Sequence, residues 1–226
     1  MTGEHKITRE KILAGEVETR LKDAERQGLL TRMPDAERIA HRKRVQAALP
    51  EGDIWVFGYG SLIWNPAFHF VERRMGRIYG WHRRFCLETL TGRGSTDCPG
   101  LVLGLDRGGS CHGVAFRIAA EHAEHELDII FRRELVTDAY LAGIAEVHTD
   151  QGKVPASTFM MNRRSERYCG NRDLEQTAQQ IARAEGWLGP CSDYLLNTVD
   201  HMIELGLNDR SLYWLAKRVR EIQAAA

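Results

Sequence analysis

The chain has 226 residues, of which 43% are hydrophobic and 27% charged, a balance typical of a globular protein that buries a core. Its 31 basic and 31 acidic residues cancel. This argues against nucleic acid or an anionic membrane as the main partner, since both require a clustered basic surface. No apolar run is long enough to span a membrane, and the N-terminus is charged rather than an apolar leader. We therefore expect a cytoplasmic protein.

Residues 1–51 are predicted to form a helical N-terminal extension with its own composition. They contain no aromatic residue, and the first aromatic side chain is Trp55. Apolar residues recur near the helical period at Ile12, Leu13, Val17 and Leu21. Pro34-Asp35 marks the start of a second helix. We expect the extension to pack on the main domain, or on a second subunit in a self-association, and to support assembly rather than chemistry.

Residues 52–226 are predicted to form a single domain, the candidate catalytic domain. Apolar runs bounded by turn residues predict strands at residues 54–57, 85–90, 101–105, 113–118, 144–148 and 157–162. Helical patterns follow at residues 120–134, 173–185, 192–205 and 209–222. Glycine-rich turns such as Arg107-Gly108-Gly109-Ser110 are predicted to separate strands. This order indicates an α+β fold whose mixed or antiparallel sheet curls into a barrel.

A glycine-rich turn, Gly58-Tyr59-Gly60-Ser61-Leu62, directly follows the first predicted strand. Glycines let the backbone turn sharply, and successive free amides form a nest for a carboxylate or an oxyanion. An ordinary tight turn explains the same pattern. A dinucleotide-binding fingerprint is disfavoured because Ile63 occupies the place of its third glycine.

Glu134 continues an apolar helical stripe formed by Leu127, Ile130 and Phe131. A carboxylate on such a face is paired, protonated or functional, because burying it bare is costly. Desolvation raises the pKa of a carboxyl group and makes it a better base near neutral pH. The alternative is that the helix ends here and Glu134 turns to solvent or pairs with a neighbouring arginine. Glu88, in a predicted strand, is the second candidate carboxylate.

Five cysteines occur at irregular spacing without a CxxC motif, so we expect reduced thiols in or near the core. His122 and His125 share a helix face, and Cys111-His112 lies nearby in sequence. No HExxH or paired-cysteine motif completes a ligand set, so neither a metal nor a cofactor is predicted. A Cys–His nucleophile stays open because such pairs meet only in the fold.

Several motifs together resemble one family, the ChaC-type glutathione-specific γ-glutamylcyclotransferases. The resemblance spans about residues 52–220. The motifs that carry it are Trp55-Val56-Phe57-Gly58-Tyr59-Gly60-Ser61-Leu62-Ile63-Trp64-Asn65-Pro66, Gly80-Trp81-His82-Arg83-Arg84-Phe85-Cys86, Pro99-Gly100-Leu101-Val102, Phe131-Arg132-Arg133-Glu134 and Tyr194-Leu195. The resemblance implies a GGCT-like fold, a small, partly closed mixed β-barrel surrounded by helices.

The resemblance also implies a function: conversion of glutathione to 5-oxoproline and cysteinylglycine without metal or cofactor, with Glu134 as general acid/base. The substrate-binding residues carried over are Val56, Phe57, Gly58, Tyr59, Gly60, Ser61, Leu62 and Tyr194. Either Arg84 or Arg93 is expected to receive the glycine carboxylate. The run after Glu134, ending in Tyr140, departs from the family pattern. Two alternatives remain: a cyclotransferase for other γ-glutamyl amides or amines, and a non-catalytic γ-glutamyl-binding protein.

Overall fold

The computed structural model describes residues 7–225. Its helices are α1 (Arg9–Leu13), α2 (Glu16–Arg26), α3 (Asp35–Ala48), α4 (Ala123–Glu134), α5 (Leu174–Arg183), α6 (Cys191–Glu204) and α7 (Arg210–Ala224). Its strands are β1 (Ile54–Gly58), β2 (Glu72–Thr89), β3 (Gly100–Ile118), β4 (Tyr140–Thr149), β5 (Gly152–Met161), β6 (Glu185–Gly186) and β7 (Gly189–Pro190). A short 3₁₀ helix, Ser61–Ile63, follows β1.

Strands β1 to β5 form a closed barrel in the order β1-β3-β2-β4-β5. The β1–β5 pair is parallel and places Val56 beside Ser157, whereas the other pairs are antiparallel. The core inside and around the barrel includes several aromatic rings: Phe57 and Phe116 are at most 1% exposed, and Phe159 lies against Phe131 of α4 with ring centroids 5.2 Å apart. The predicted α+β barrel is confirmed, and its strands close fully.

The predicted and observed elements differ in β3. The turn predicted at Arg107–Ser110 is part of one continuous strand, because Gly108 and Gly109 take positive φ values of 101° and 67° and bend the chain without ending the ladder. Residues 107–110 are exposed, so this stretch has the polarity of a loop. Strand β2 also differs from the prediction: it begins at Glu72 and not near Phe85, and its first half combines exposed residues with the buried Gly76 and Ile78.

The N-terminal helices pack against the main domain of the same chain. Ile12 and Val17 form a buried cluster with Ile129 of α4. Arg9 forms an ion pair with Glu126, whose side chain is 3% exposed. The expected packing onto the main domain is therefore observed, and self-association stays a prediction.

Two further expectations bear on the chain as a whole. The polar N-terminus used to argue against a leader, residues 1–6, lies outside the described residues. Within residues 7–225, no helix is long and apolar enough to cross a membrane.

The cysteines behave as predicted: all are free thiols, with Cys86, Cys111 and Cys191 buried and the other two half-buried.

Candidate active site

A cleft of about 210 Å³ opens where three elements meet: the end of α4, the 3₁₀ helix after β1, and the start of α6. These elements contribute Glu134, Ser61 and Tyr194 to its lining. Glu134 ends α4, Ser61 begins the 3₁₀ helix, and Tyr194 lies in the first turn of α6. The structure thus brings together residues that are far apart in the sequence and that the resemblance had joined.

Glu134 is the last residue of α4, and its side chain is 15% exposed. Burial raises the pKa of this carboxyl group, and the neighbouring Arg133 guanidinium only partly offsets the rise. Arg133 Nε lies 3.1 Å from Glu134 Oε1. Both sequence readings therefore hold in part: the helix ends and an arginine pairs with Glu134, yet the carboxylate faces the cleft and not open solvent.

Arg133 ties the carboxylate to the glycine-rich turn. Its guanidinium donates to Ser61 Oγ at 2.9 Å and to the carbonyl of Pro66 at 3.3 Å, and it also contacts the carbonyl of Asn65. The Arg133 side chain is 6% exposed. Because one buried cation contacts both Glu134 and Ser61, the proposed base and the proposed binding turn keep a fixed relative position.

Two glycines in the turn lie where a Cβ atom would closely approach a neighbouring side chain. A Cβ atom at Gly58 would lie 2.9 Å from Leu62 Cβ, and one at Gly60 would lie 3.0 Å from the Tyr194 hydroxyl. The chain after Gly60 enters the 3₁₀ helix, and the Ile63 amide donates to the carbonyl of Gly60 at 2.9 Å. The turn is therefore packed against Tyr194, and little space is left between the backbone at Gly60 and the Tyr194 hydroxyl.

Three tyrosines surround Glu134. Tyr59 donates its hydroxyl to the carbonyl of Phe159 at 2.8 Å, and Tyr140 donates to that of Leu103 at 2.6 Å. Burial raises the pKa of Tyr59, Tyr140 and Tyr194 above the ordinary value. These phenols consequently stay neutral near pH 7 and are not bases; Tyr140 and Tyr194 line the cleft, whereas Tyr59 does not.

Other predicted residues lie away from the cleft. Val56, Phe57 and Leu62 are at most 5% exposed in the core, so their side chains support the turn from behind. Glu88 forms an ion pair with Arg172 at 3.0 Å. Arg84 contacts Asp106 and Asn171 outside the cleft lining, which removes it as a candidate for the substrate carboxylate.

Two arginines that line the cleft have no carboxylate partner within ion-pair distance in the described part of the chain. Arg93, only 4% exposed, donates to the carbonyl of Pro190 at 3.1 Å. Arg167 donates to the carbonyl of Glu88 at 2.8 Å and to Thr137 Oγ1 at 3.2 Å. Sequence reasoning named Arg93 but missed Arg167, for which no local pattern gives a signal.

The extension also reaches the cleft. Ile7, Val17, Leu21 and Leu30 line it together with Glu134. The expected packing role thus extends to the cleft, and the expectation that the extension takes no part in chemistry stays a prediction. The helical periodicity of Val17 and Leu21 predicted a buried face, but not what that face would contact.

In the described residues, the geometry supports neither a cysteine nucleophile at the cleft nor a metal site. Among residues 7–225, no cysteine lines the cleft, and burial raises the pKa of Cys86 to about 12 and of Cys191 to about 11. Such thiols stay protonated near neutral pH and are poor nucleophiles. In the same part of the chain, no three His, Cys, Asp or Glu side chains cluster as metal ligands would.

Comparison with solved structures defines the fold class. The structure of a glutathione-specific γ-glutamylcyclotransferase from yeast superposes with a TM-score of 0.71 at 23% identity, covering 78% of this chain and 99% of that one. At this identity the likeness concerns the fold alone. The chain has the fold of a γ-glutamylcyclotransferase.

Sequence comparison then shows the family. The chain belongs to the ChaC-like protein family, which matches residues 54–222. The Escherichia coli (strain K12) glutathione-specific gamma-glutamylcyclotransferase is 40% identical over 175 residues, covering 77% of this chain and 76% of that protein. The Arabidopsis thaliana gamma-glutamylcyclotransferase 2-3 is 34% identical over 180 residues, covering 75% and 89%.

Proposed function

We propose that this protein degrades glutathione by cyclising its γ-glutamyl group, releasing 5-oxoproline and cysteinylglycine. The observation that carries the proposal is Glu134, a largely buried carboxylate facing a cleft and held against the glycine-rich turn through Arg133. Membership of the ChaC-like family and the names of the E. coli and Arabidopsis relatives as γ-glutamylcyclotransferases support it.

The proposed chemistry needs one base and one acid, and Glu134 serves as both. The substrate's α-amine is mostly protonated near neutral pH, and Glu134 takes its proton. The freed amine attacks the γ-carbonyl carbon, and the bond from that carbon to the cysteine nitrogen breaks. Glu134 then returns the proton to the departing nitrogen. The ring nitrogen gives up its second proton, which ends on the released amine, so 5-oxoproline keeps one N–H and cysteinylglycine leaves as an ammonium ion. No water is consumed, so excluding water and folding the substrate account for much of the rate.

The remaining polar groups suggest how the substrate is held. Glutathione carries two carboxylates, and the cleft offers two arginines without carboxylate partners, Arg93 and Arg167. Planar guanidinium groups bind carboxylates through paired hydrogen bonds. We assign Arg93 to the glycine carboxylate and the turn at Tyr59–Leu62 to the γ-glutamyl group. Val56, Phe57 and Gly58 support that turn.

Product analysis tests the proposal. Purified protein is incubated with glutathione, and 5-oxoproline and cysteinylglycine are quantified by mass spectrometry. The account predicts equimolar products. γ-Glutamylalanine, which lacks the glycine residue, serves as the comparison substrate. Equal kcat/KM for both would favour the alternative of a general γ-glutamyl cyclotransferase, and binding without any product would favour a non-catalytic binding protein.

The pH profile should show the buried base. Because burial raises the pKa of Glu134 above its ordinary value of 4.5, kcat/KM should fall as the pH drops through that raised pKa, where the carboxyl group is protonated. The acid limb should therefore lie above pH 4.5. Steady-state kinetics across pH, with circular dichroism at each pH to establish folding, measures this. An acid limb at or below the ordinary pKa of glutamate would contradict a desolvated base.

Replacement of Arg93 should weaken substrate binding more than chemistry. Arg93→Met removes a charge-assisted hydrogen bond of about 1.5–3 kcal/mol, so KM should rise roughly 10- to 100-fold with kcat changed much less. Arg84→Met is the matched control, since Arg84 lies outside the cleft lining. A control that raises KM as much as Arg93→Met would remove Arg93 from the substrate site.

A further inference from the structure

Within the described residues 7–51, the N-terminal extension contributes only apolar side chains to the cleft lining. They are Ile7, Val17, Leu21 and Leu30. All four lie outside residues 54–222, the part of the chain that matches the family. The chain therefore carries a piece of its cleft wall on a segment separate from the shared barrel.

Several contacts hold this segment in place from one end of the cleft to the other. Near Glu134, the side chain of Asn65 donates to the carbonyl of Ile7 at 2.8 Å. Asn65 also offers its own carbonyl to Arg133, so the start of the extension and the partner of Glu134 share one residue. At the other end, the Arg20 guanidinium lies 4.9 Å from the centre of the Trp187 ring, which also lines the cleft.

A buried ion pair adds a third anchor. Arg9 binds Glu126, and Oε2 of Glu126 also accepts the His69 amide at 2.9 Å. Burial alone raises the pKa of Glu126, but the hydrogen bonds from Arg9 and His69 lower it by more, so its net pKa is lowered and the pair stays charged near neutral pH. The segment is thus attached to the main domain at three places.

The chemistry of the cleft indicates what this wall contacts. Glutathione has three branches: the γ-glutamyl group, the glycine carboxylate and the uncharged cysteine side chain. The proposed function places the first at Glu134 and the second at Arg93, and the third branch matches an apolar surface. We propose that the extension forms the wall on which the substrate's cysteine side chain packs, with Leu21 as a specificity-determining residue. This inference rests on the proposed function.

A pair of substitutions with opposite effects tests the wall. The measured quantity is the ratio of kcat/KM for S-methylglutathione to kcat/KM for glutathione, which does not depend on the amount of active enzyme. Overpacking by one methyl group costs about 1–3 kcal/mol, so the wild-type ratio should be well below one. Leu21→Ala should raise the ratio about tenfold, since it opens space beside the substrate's sulfur, and Leu21→Phe should lower it.

Leu13→Ala is the matched control, because Leu13 is 49% exposed on α1 and does not line the cleft. Its ratio should equal that of wild type. If the wild type cleaves glutathione and both Leu21 variants keep the wild-type ratio, the proposed role of the extension is wrong while the proposed function stands. Failure of the wild type to produce 5-oxoproline would overturn the proposed function and this inference with it. Because Leu21→Ala and Leu21→Phe change the volume in opposite directions, either folded variant decides the question.

Discussion

Glu134→Gln should reduce kcat for glutathione cleavage by roughly two to four orders of magnitude, the usual contribution of a positioned general base. The amide keeps the size and shape of the side chain but accepts no proton. Glutathione should still bind, since the turn and Arg93 are assigned to hold it. The free energy of unfolding at neutral pH should change little, because the relief from burying the charge of Glu134 is offset by the loss of the ion-pair partner of the buried Arg133. Kinetics and thermal unfolding of the same samples measure both effects.

Glu88→Gln is the matched control for this variant. Glu88 is also a carboxylate near the barrel, but it pairs with Arg172 and does not line the cleft. Its turnover should stay close to that of wild type. The assignment of Glu134 fails if its glutamine variant, correctly folded, turns over glutathione within tenfold of wild type.

Arg133→Met should damage both stability and activity. It removes one partner of a buried pair and three hydrogen-bond contacts at the turn, so we expect a loss of about 3–5 kcal/mol in the free energy of unfolding at neutral pH. A displaced carboxylate and turn should lower kcat/KM by about 100-fold or more. Denaturant unfolding and steady-state kinetics provide the two numbers.

The pH dependence of activity in Arg133→Met shows whether Arg133 acts through the ionisation of Glu134. Arg133 lowers the pKa of Glu134, so the variant's Glu134 should have a still higher pKa and its acid limb should move to higher pH. The stability lost should be partly recovered as the pH falls, since protonation removes the unpaired buried charge. Arg132→Met is the control: its guanidinium is 41% exposed and pairs with Asp128 on the helix surface. An acid limb that does not move would mean that Arg133 is merely structural.

The barrel and its helices could be predicted from sequence where local patterns determine them. All five residues of β1 are buried and the apolar stripe of α4 buries one face, so the predicted bounds agree with the structure to within one residue for β1 and three for α4. The middle of β3 could not be predicted, because its side chains at residues 107–110 are exposed and glycines bend it. Polarity there resembles a loop, although the ladder with β2 continues.

The residues of the candidate site likewise fall into two groups, those that sequence motifs indicate and those that they do not. Glu134, Ser61 and Tyr194 lie in motifs, so the sequence indicated them, and the structure brings them to one cleft. Arg167 and Leu21 reach that cleft only through contacts between distant parts of the chain. Nothing in their immediate neighbours marks them. Tertiary placement of this kind has no local signature, since a half-buried leucine on a helix fits any apolar surface.

The most direct test of the central claim is cleavage of glutathione in water enriched in the heavy oxygen isotope. Intramolecular attack by the α-amine uses no water, so the account predicts 5-oxoproline without the label, formed by wild type and nearly abolished in Glu134→Gln. Mass spectrometry of the products resolves this in one experiment. Labelled glutamate as the main product, or unlabelled 5-oxoproline formed equally fast by the Glu134→Gln variant, would contradict cyclisation with Glu134 as the base.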